Sequence, residues 1–539
     1  MVWATGAGLS LVLLTAVLLL VVVLVNGLGV FWPAAVAQIT LADGSGLLGQ
    51  QFEIAVNPDN GVRQIKFKAA NREFDAGRQD FRWIVDDTIA ETTFPSDVIV
   101  LERTGNGDFY GYLRELKTPV LEGPQEGELP SRLSAALKAL RTEQAAKLRD
   151  ITPQLDGLRV RLDRTKASMA KAEYRKKEAQ AAGAADSETL ARLDSQLAQL
   201  RAEEAEVSRE TGRLVTQQQE FEADVRKNVA LFEDGQGQTR TIVLADIVRF
   251  YQPNAMGVFS KTGHYLAKVW ELLTTNPRES NTEGGLFPQI LCTVLLVFLM
   301  ALSCFPLGVL AGIYLGEYAR EGTLVRIVRI AVNNLAGIPS IVYGMFGLGF
   351  FIYGMGGFLD RWLYPEYANV EPVLGKGGVL WASLTLGLLT VPVVIVATEE
   401  ALRTIPRSVR ESSYALGATK FQTLARALMP LASPGIMTGF ILAMARAAGE
   451  VAPLMITGAA KSANSLPLDG TFPYVHLDRQ FMHLGFHIYD IGFQSPNVEA
   501  TKPMVYVTTL LLVLIVLVMS SVAIYLRNRM RKKLQIKTI

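Results

Sequence analysis

The sequence predicts an α-helical membrane protein with six transmembrane helices and, between the first and second of them, an inserted β-rich domain bearing an antiparallel coiled-coil hairpin. Three observations predict it. Six apolar runs are each long enough, at about 20 residues, to cross a bilayer. Charged residues gather instead between about residues 40 and 285, and two segments inside that stretch repeat apolar residues at heptad spacing. At 539 residues and 50% hydrophobic, the chain is too long for one ordinary domain and too apolar for a soluble one. Its net charge of +2 points to no nucleic-acid or acidic partner.

The apolar runs lie at Leu9–Phe31, Ile290–Leu315, Ile327–Phe358, Val379–Ala397, Ile436–Ile456 and Met504–Tyr525. The third is long and interrupted by Gly337, Pro339 and Gly344, which predicts a bent or broken helix. Among the connectors, Lys and Arg concentrate after the second run (Arg320, Arg326, Arg329), after the fourth (Arg403, Arg407, Arg410, Lys420, Arg426) and in the tail from Arg527 to Lys537. The positive-inside rule then puts both termini in the cytoplasm of an inner membrane and the large charged domain in the periplasm. Ala35-Val36-Ala37 has the look of a signal-peptidase site. The preceding run is longer than a signal h-region and has no basic residue before it, so retention as an anchor is expected.

These boundaries give a first helix over 1–34, an outer domain over 35–284, a membrane core over 285–526 with a cytoplasmic loop at 399–433, and a basic tail over 527–539. Within the outer domain, alternating runs such as Gln64-Ile65-Lys66-Phe67-Lys68, Val98-Ile99-Val100-Leu101 and Thr241-Ile242-Val243-Leu244 predict strands over 35–128 and 236–250. Turn signals such as Asn57-Pro58-Asp59-Asn60-Gly61 separate them. Over 130–230, Leu148, Ile151, Leu155, Leu158, Leu162 and Met169 share heptad spacing. Leu190, Leu193, Leu197, Leu200, Val207, Leu214, Phe221 and Val225 do likewise. Two helices reversing at Gly183, with a kink at Pro153, are expected to bury their seams mainly on each other. A structural stalk and a docking surface for a partner are both compatible with that pattern. Cys292 and Cys304 sit in one apolar run, roughly 18 Å apart along a helix, too far for a disulfide.

The stretch from Thr398-Glu399-Glu400 through Pro406, Arg410-Glu411-Ser412-Ser413-Tyr414-Ala415-Leu416-Gly417 to Leu428-Met429-Pro430 reads as a short amphipathic helix, a glycine reversal and a second short helix before the next span. It resembles the EAA loop of ABC importer permeases, with Ser412 and Ser413 in place of two alanines. Gly285-Leu286-Phe287-Pro288, Tyr314-Leu315-Gly316-Glu317-Tyr318, Gly337-Ile338-Pro339-Ser340 and Arg446-Ala447-Ala448-Gly449-Glu450-Val451-Ala452-Pro453 resemble phosphate permeases of the PstA and PstC types. The last span, with Thr508-Thr509-Leu510, and Arg527-Asn528-Arg529 after it favour PstA. The likeness covers 285–539 well and the outer domain only loosely, as an extended form.

The resemblance implies the type I ABC importer fold and phosphate import. It also implies a second, PstC-like permease, a PstB-like ATPase dimer and a PstS-like periplasmic phosphate-binding protein. ATP would then bind the ATPase, with no cofactor on this subunit and no catalysis by it. It assigns ATPase coupling to Glu411, Ser412, Ser413, Gly417 and Pro430. One departure is Val396, where related permeases often carry an arginine three residues before the Thr-Glu-Glu element's first acid.

Arg446 and Glu450 stand four apart in a predicted span, where ionisable groups usually face a pathway or one another. A guanidinium fork suits an oxyanion, and the carboxylate can hold the arginine or accept a hydrogen bond from a protonated phosphate oxygen. An internal salt bridge pinning the span is the structural alternative. A signalling or force-transmitting membrane protein acting through the periplasmic hairpin is the other functional class, as is a permease for another oxyanion. Gly458-Ala459-Ala460-Lys461-Ser462 lacks the glycine immediately before lysine that a Walker A loop needs. His483 and His487 stand four apart with Asp490 nearby, but without a matching catalytic Glu or a clear third ligand no metal site is expected.

Overall fold

The computed structural model describes residues 2–57, 61–74, 80–118, 128–181, 187–367, 372–461, 466–470, 472, 474–495 and 497–536. They form two compact units. One comprises Met1–Val30, Glu271–Pro277 and Gly284–Ile539, the other Phe31–Trp270 and Arg278–Glu283.

The chain opens with the apolar helix α1 (Val2–Gly29), which carries no charged residue in its first or last turn. The second unit then begins with β1 (Val36–Leu41), β2 (Gly46–Val56), β3 (Arg63–Lys68), β4 (Phe81–Val85) and β5 (Ile89–Thr93). These pair in the order β4-β3-β2-β1-β5. A second sheet follows from β6 (Ile99–Arg103), β7 (Phe109–Lys117), β8 (Val229–Glu233), β9 (Thr239–Val243) and β10 (Ile247–Tyr251), in the order β9-β8-β7-β6-β10.

The two sheets are the same motif twice, with the fifth strand in each returning antiparallel beside the first. In each copy a three-residue 3₁₀ turn, Asp86–Thr88 or Leu244–Asp246, joins the fourth strand to the fifth with nearly equal flanking angles (φ −68°, ψ 129° and φ −73°, ψ 130°). The sequence carries a faint trace of this duplication. Arg82, Ile84, Val85, Ile89 and Pro95 match Arg240, Ile242, Val243, Ile247 and Pro253 in spacing and identity. Strand β8 lies before the predicted 236–250 region and β10 runs one residue past it, and the hairpin predicted to 230 ends at Val225, because Val229 and Ala230 are taken into the second sheet.

Between β7 and β8, where the first copy has only a short connection, stand the long helices α2 (Leu129–Ala181) and α3 (Ser187–Val225). They run antiparallel: Arg161 meets Glu203 at 3.1 Å, Glu173 meets Arg201 at 3.2 Å, and Lys176 pairs with Asp194. Leu155, Leu158, Leu162, Val207 and Leu214 fill the seam between their distal parts. Leu148, placed on the seam by spacing, is 46% exposed. Helix α2 continues through Pro153, and the reversal at Gly183 lies outside the described residues.

The hairpin is not self-contained. At its base, Leu133, Ala136, Leu137, Leu140, Phe221 and Val225 join Ile99, Leu101, Phe109, Phe232, Ile242 and Leu244 in one core. Burial of each such leucine or phenylalanine stabilises by roughly 1.5–3 kcal/mol, so the base belongs to the second sheet energetically as well as geometrically.

Helix α4 (Val258–Thr274) follows, unforeseen as an element. Its Lys268 reaches Glu102 at 2.7 Å, beside Lys68 paired with Asp108 at 2.6 Å. Residues 278–283 close onto this buried charge cluster. Gly107 N–H donates to Glu279 Oε2 at 3.0 Å, and Arg72 pairs with Glu279. Burial, with Asp108 nearby, pushes the Glu283 carboxyl up to about 7.

In the first unit, α5 (Phe287–Ile313) ends in a π turn at Tyr314–Tyr318. The third apolar run is split. Amphipathic α6 (Thr323–Leu335) buries none of its residues, and the chain reverses at Gly337-Ile338-Pro339. The spanning stretch is α7 (Ser340–Phe346), a π segment over Gly347–Gly356 and α8 (Gly357–Leu363). The break that Gly337, Pro339 and Gly344 predict thus falls before Ser340, where Pro339 precedes the first turn of α7 and lacks a donor to continue α6.

Next come α9 (Val379–Arg403), α10 (Arg407–Ala415), α11 (Lys420–Thr423), a π turn at Leu424–Leu428 and α12 (Met429–Gly449). Helix α12 ends seven residues before the predicted limit of the fifth span, and short α13 (Ala452–Thr457) follows the break. The chain finishes with α14 (Leu484–Tyr489), a π turn at Asp490–Gln494 and α15 (Val498–Ile536).

Among the described residues, six helical stretches are long and apolar enough to cross a membrane: Thr5–Gly29, Phe287–Tyr318, Ser340–Leu363, Val379–Arg403, Lys420–Gly449 and Val498–Lys532. Helix α9 lies at the centre, sharing a core of Met300, Cys304, Leu386, Val394, Ala443 and Ala447 with α5 and α12. Small residues permit this approach. A Cβ added at Gly439 would stand 2.3 Å from that of Ala397, and one at Gly312 would stand 2.6 Å from that of Thr398. Cys292 and Cys304 are both buried and unbridged.

Candidate functional site

Two places collect the sequence-predicted site residues. The first is the connection from α9 to α12. Arg403 ends α9, and Pro406 begins α10 with the φ of −55° that its ring imposes. Helix α10 has no buried residue; Glu411 and Ser412 face outward. Gly417 then turns the chain with φ +80°, and nothing lies within 4 Å of where its Cβ would be. Its role is therefore conformational rather than steric, since left-handed backbone is disfavoured for residues with a side chain.

Thr419 restarts the helix with a capping box. Its hydroxyl accepts from Gln422 N–H at 3.3 Å, while Gln422 accepts from Thr419 N–H at 2.9 Å. Ser413 and Thr423 bring their hydroxyls to 2.8 Å, closing the two arms of the turn. The second arm is not a separate short helix. It runs through the π turn and Pro430 directly into α12, so Pro430 sits at the start of the spanning rod. The tip of the turn is apolar and open: Leu416 is 89% exposed and Phe421 69%.

The second place is the end of α12. Arg446 lies in its last turn, but Glu450 is the capping residue beyond it, with extended backbone (φ −80°, ψ 126°). The two are not on one helix face as the spacing predicted; they meet across the break, Nε to Oε1 at 3.4 Å. Among the described residues this is the one hydrogen bond the guanidinium donates. Both side chains are half-buried, and Tyr343 of α7 lies within electrostatic range of Arg446. A fork of donors with a single long bond is suited to take an oxyanion, and a carboxylate four residues on can orient it.

Glu399, in the Thr-Glu-Glu element, accepts from Arg329 of α6 at 2.8 Å and from Arg403 at 2.7 Å. Glu399 thus takes one positive partner from α6 and one from the end of its own helix. His483 Nδ1 accepts from Phe486 N–H at 3.4 Å, and His487 Nδ1 lies 3.3 Å from the Thr508 hydroxyl. Asp490 is buried, with Lys461 Nζ 3.1 Å away. Among the described residues no group of three or more His, Cys, Asp or Glu is placed to hold a metal.

Comparison with known proteins adds a family. Residues 308–532 match the model of the binding-protein-dependent transport system inner membrane component. The probable ABC transporter permease protein YqgI of Bacillus subtilis is 30% identical over 238 residues, 43% of this chain and 74% of that protein. The phosphate transport system permease protein PstA of Mycobacterium leprae is 36% identical over 188 residues, and that of Yersinia pestis 37% over 181, covering 35% and 34% of this chain. The chain spans about half the length of these PstA relatives, 56% and 55%. With that identity running through 74% of the Bacillus protein, this chain belongs to the binding-protein-dependent inner-membrane components, the ABC transporter permeases.

Proposed function

We propose that this chain is the PstA-like permease subunit of an ATP-driven phosphate importer. The observation that carries the substrate is Arg446, a half-buried guanidinium with donors to spare at the broken end of α12, in a chain whose relatives include named phosphate permeases. Phosphate offers the tetrahedral set of acceptors that such a fork binds, and Glu450 orients the fork or accepts from a protonated phosphate oxygen.

The open turn at Leu416 and Gly417 is read as the knob that enters a groove of a PstB-like ATPase dimer, with Glu411, Ser412, Ser413 and Pro430 shaping its arms. A PstC-like permease completes the pathway, and a PstS-like protein delivers phosphate to the outer side, where the duplicated sheets and hairpin stand. ATP binds the ATPase subunits, and both termini of this chain are cytoplasmic. Uptake of inorganic phosphate in cells lacking the gene, with and without a plasmid copy, tests the reading. Restoration by the plasmid is expected, and equal uptake in both strains overturns it.

A further inference from the structure

Two arginines from separate surface helices grip the place where α5 ends beside the end of α9. From α10, Arg410 sets Nε 3.2 and 3.3 Å from the two oxygens of Glu317, and its Nη2 also bonds that carboxylate. The same guanidinium donates to the Leu402 carbonyl at 2.9 Å and the Ile405 carbonyl at 2.8 Å. The Leu402 carbonyl lies in the last turn of α9, near the negative end of the helix dipole, and the Ile405 carbonyl lies two residues past the helix end at Arg403. From α6, Arg329 donates to Glu399 and, at 3.1 Å, to the Leu315 carbonyl. Across the Gly417 turn, Lys420 Nζ sits 4.6 Å from the centre of the Tyr318 ring.

Both arms of the α10–α11 turn are therefore fastened to the same π turn, Tyr314–Tyr318, by Arg410 on Glu317 and by Lys420 on Tyr318. Glu317 and Arg410 are only 9% and 19% exposed, so their pairing is little screened. Helix α10 has no fully buried residue, and Val409 is its partly buried apolar contact with the core beside Leu402 and Ile405. A single extra backbone unit in a π turn is a recurrent mark of functional sites in helices.

We propose that the Arg410–Glu317 pair is the positioning joint through which displacement of α10 is carried into α5 and α9 together. This rests on the reading of α10 as the ATPase contact. The fork is what makes the joint: one guanidinium spans a carboxylate on the π turn that ends α5, a carbonyl in the last turn of α9 and another just beyond it, and an ammonium of the same charge cannot bridge all of them at once.

The test uses the complex recovered with its own ATPase by pull-down on this chain and reconstituted in liposomes, with inorganic phosphate as the probe. Arg410→Lys and Glu317→Gln are expected to keep ATPase in the pull-down and to keep ATP hydrolysis, while phosphate accumulated per ATP hydrolysed falls at least tenfold. Glu317→Asp, which preserves the charge, is expected to recover most of that ratio. Spin labels at exposed positions Ser408 and Leu310 are expected to hold a narrow distance distribution through nucleotide addition in the parent chain and to broaden in Arg410→Lys. An unchanged ratio in Arg410→Lys overturns the joint, as does loss of ATPase binding in that variant, which assigns Arg410 to docking. The coupling-loop reading is tested apart, by Gly417→Asp: retained ATPase binding and uptake there would overturn that reading instead.

Discussion

Arg329 of α6 donates from Nε to Glu399 of α9 at 2.8 Å, and its neighbouring nitrogen reaches Glu321 at 2.9 Å. Helix α6 buries none of its own residues, so this ion pair and the bond to the Leu315 carbonyl anchor it. The Arg329 hydrogen bond holds the Glu321 carboxyl below its ordinary range. Glu399 is the better sheltered partner, 12% exposed against 78% for Glu321.

Arg329→Ala should therefore destabilise the helical unit by about 1–3 kcal/mol, the usual cost of removing one partner from a sheltered charge-assisted bond. Glu321→Ala should cost far less, because its carboxylate stands in solvent and the pair is screened. Thermal melting of the two variants in detergent, beside the parent chain, checks the ordering; equal losses would contradict it.

Arg446→Gln should abolish phosphate uptake while leaving membrane insertion and ATPase recovery unchanged, since the stem is largely kept and the fork is lost. Arg446→Lys is expected to fall well short of the parent because an ammonium cannot present two parallel donors. Glu450→Gln keeps the shape and weakens the orientation of Arg446 across their 3.4 Å contact, so uptake should fall less than in Arg446→Gln. Uptake measured over a range of phosphate concentrations orders the three. Loss of folded protein in Glu450→Gln would assign the pair to structure.

The hairpin separates into two parts with different consequences. Excising residues 148–214 and closing with a short Gly-Ser linker removes helix that packs on itself along Leu155, Leu158 and Leu162, and the remaining chain should insert and be recovered at parental levels. Excising 133–229 instead strips Leu133, Leu137, Leu140, Phe221 and Val225 from the core under β6–β9, and folded protein should disappear. Membrane fractions and limited proteolysis distinguish the two deletions. Phosphate uptake by the shorter one then reads whether the distal hairpin serves transport.

Glu283 should make the β-rich unit sensitive to pH. Its carboxyl is pushed up to about 7 by burial, with Asp108 adding to the shift and Lys68 and Lys268 opposing it. A carboxyl with a raised pKa in the folded state adds stability that is whole below its ordinary value and lost as pH rises through about 7. Strands β6 and β7 of the detergent-solubilised chain should thus exchange amide hydrogens more slowly at pH 5 than at pH 8, after correction for intrinsic rates. Glu283→Gln, neutral throughout, should flatten that contribution.

Much of this molecule was legible in its residues. Apolar length marks the spans because a bilayer requires about 20 apolar residues of any helix that crosses it. Heptad spacing marks the hairpin, and Gly417 marks the reversal because its φ of +80° suits a residue without a side chain. The sequence could not settle which contacts cross between elements. Whether the third apolar run was one helix or two turned on Pro339 and on where Arg329 found Glu399. Periodicity along one helix is silent about both. The break after Gly449, which moves Glu450 off the helix, was hidden for the same reason. The duplicated sheet was nearly invisible, since pairing order is set by strands far apart in the chain and only a few side chains, such as Ile84 and Ile242, keep its imprint. Local patterns determined the elements; the close approach of α5, α9 and α12, and the arginines that bind their ends, were decided by packing and charge that exist only once the chain is folded.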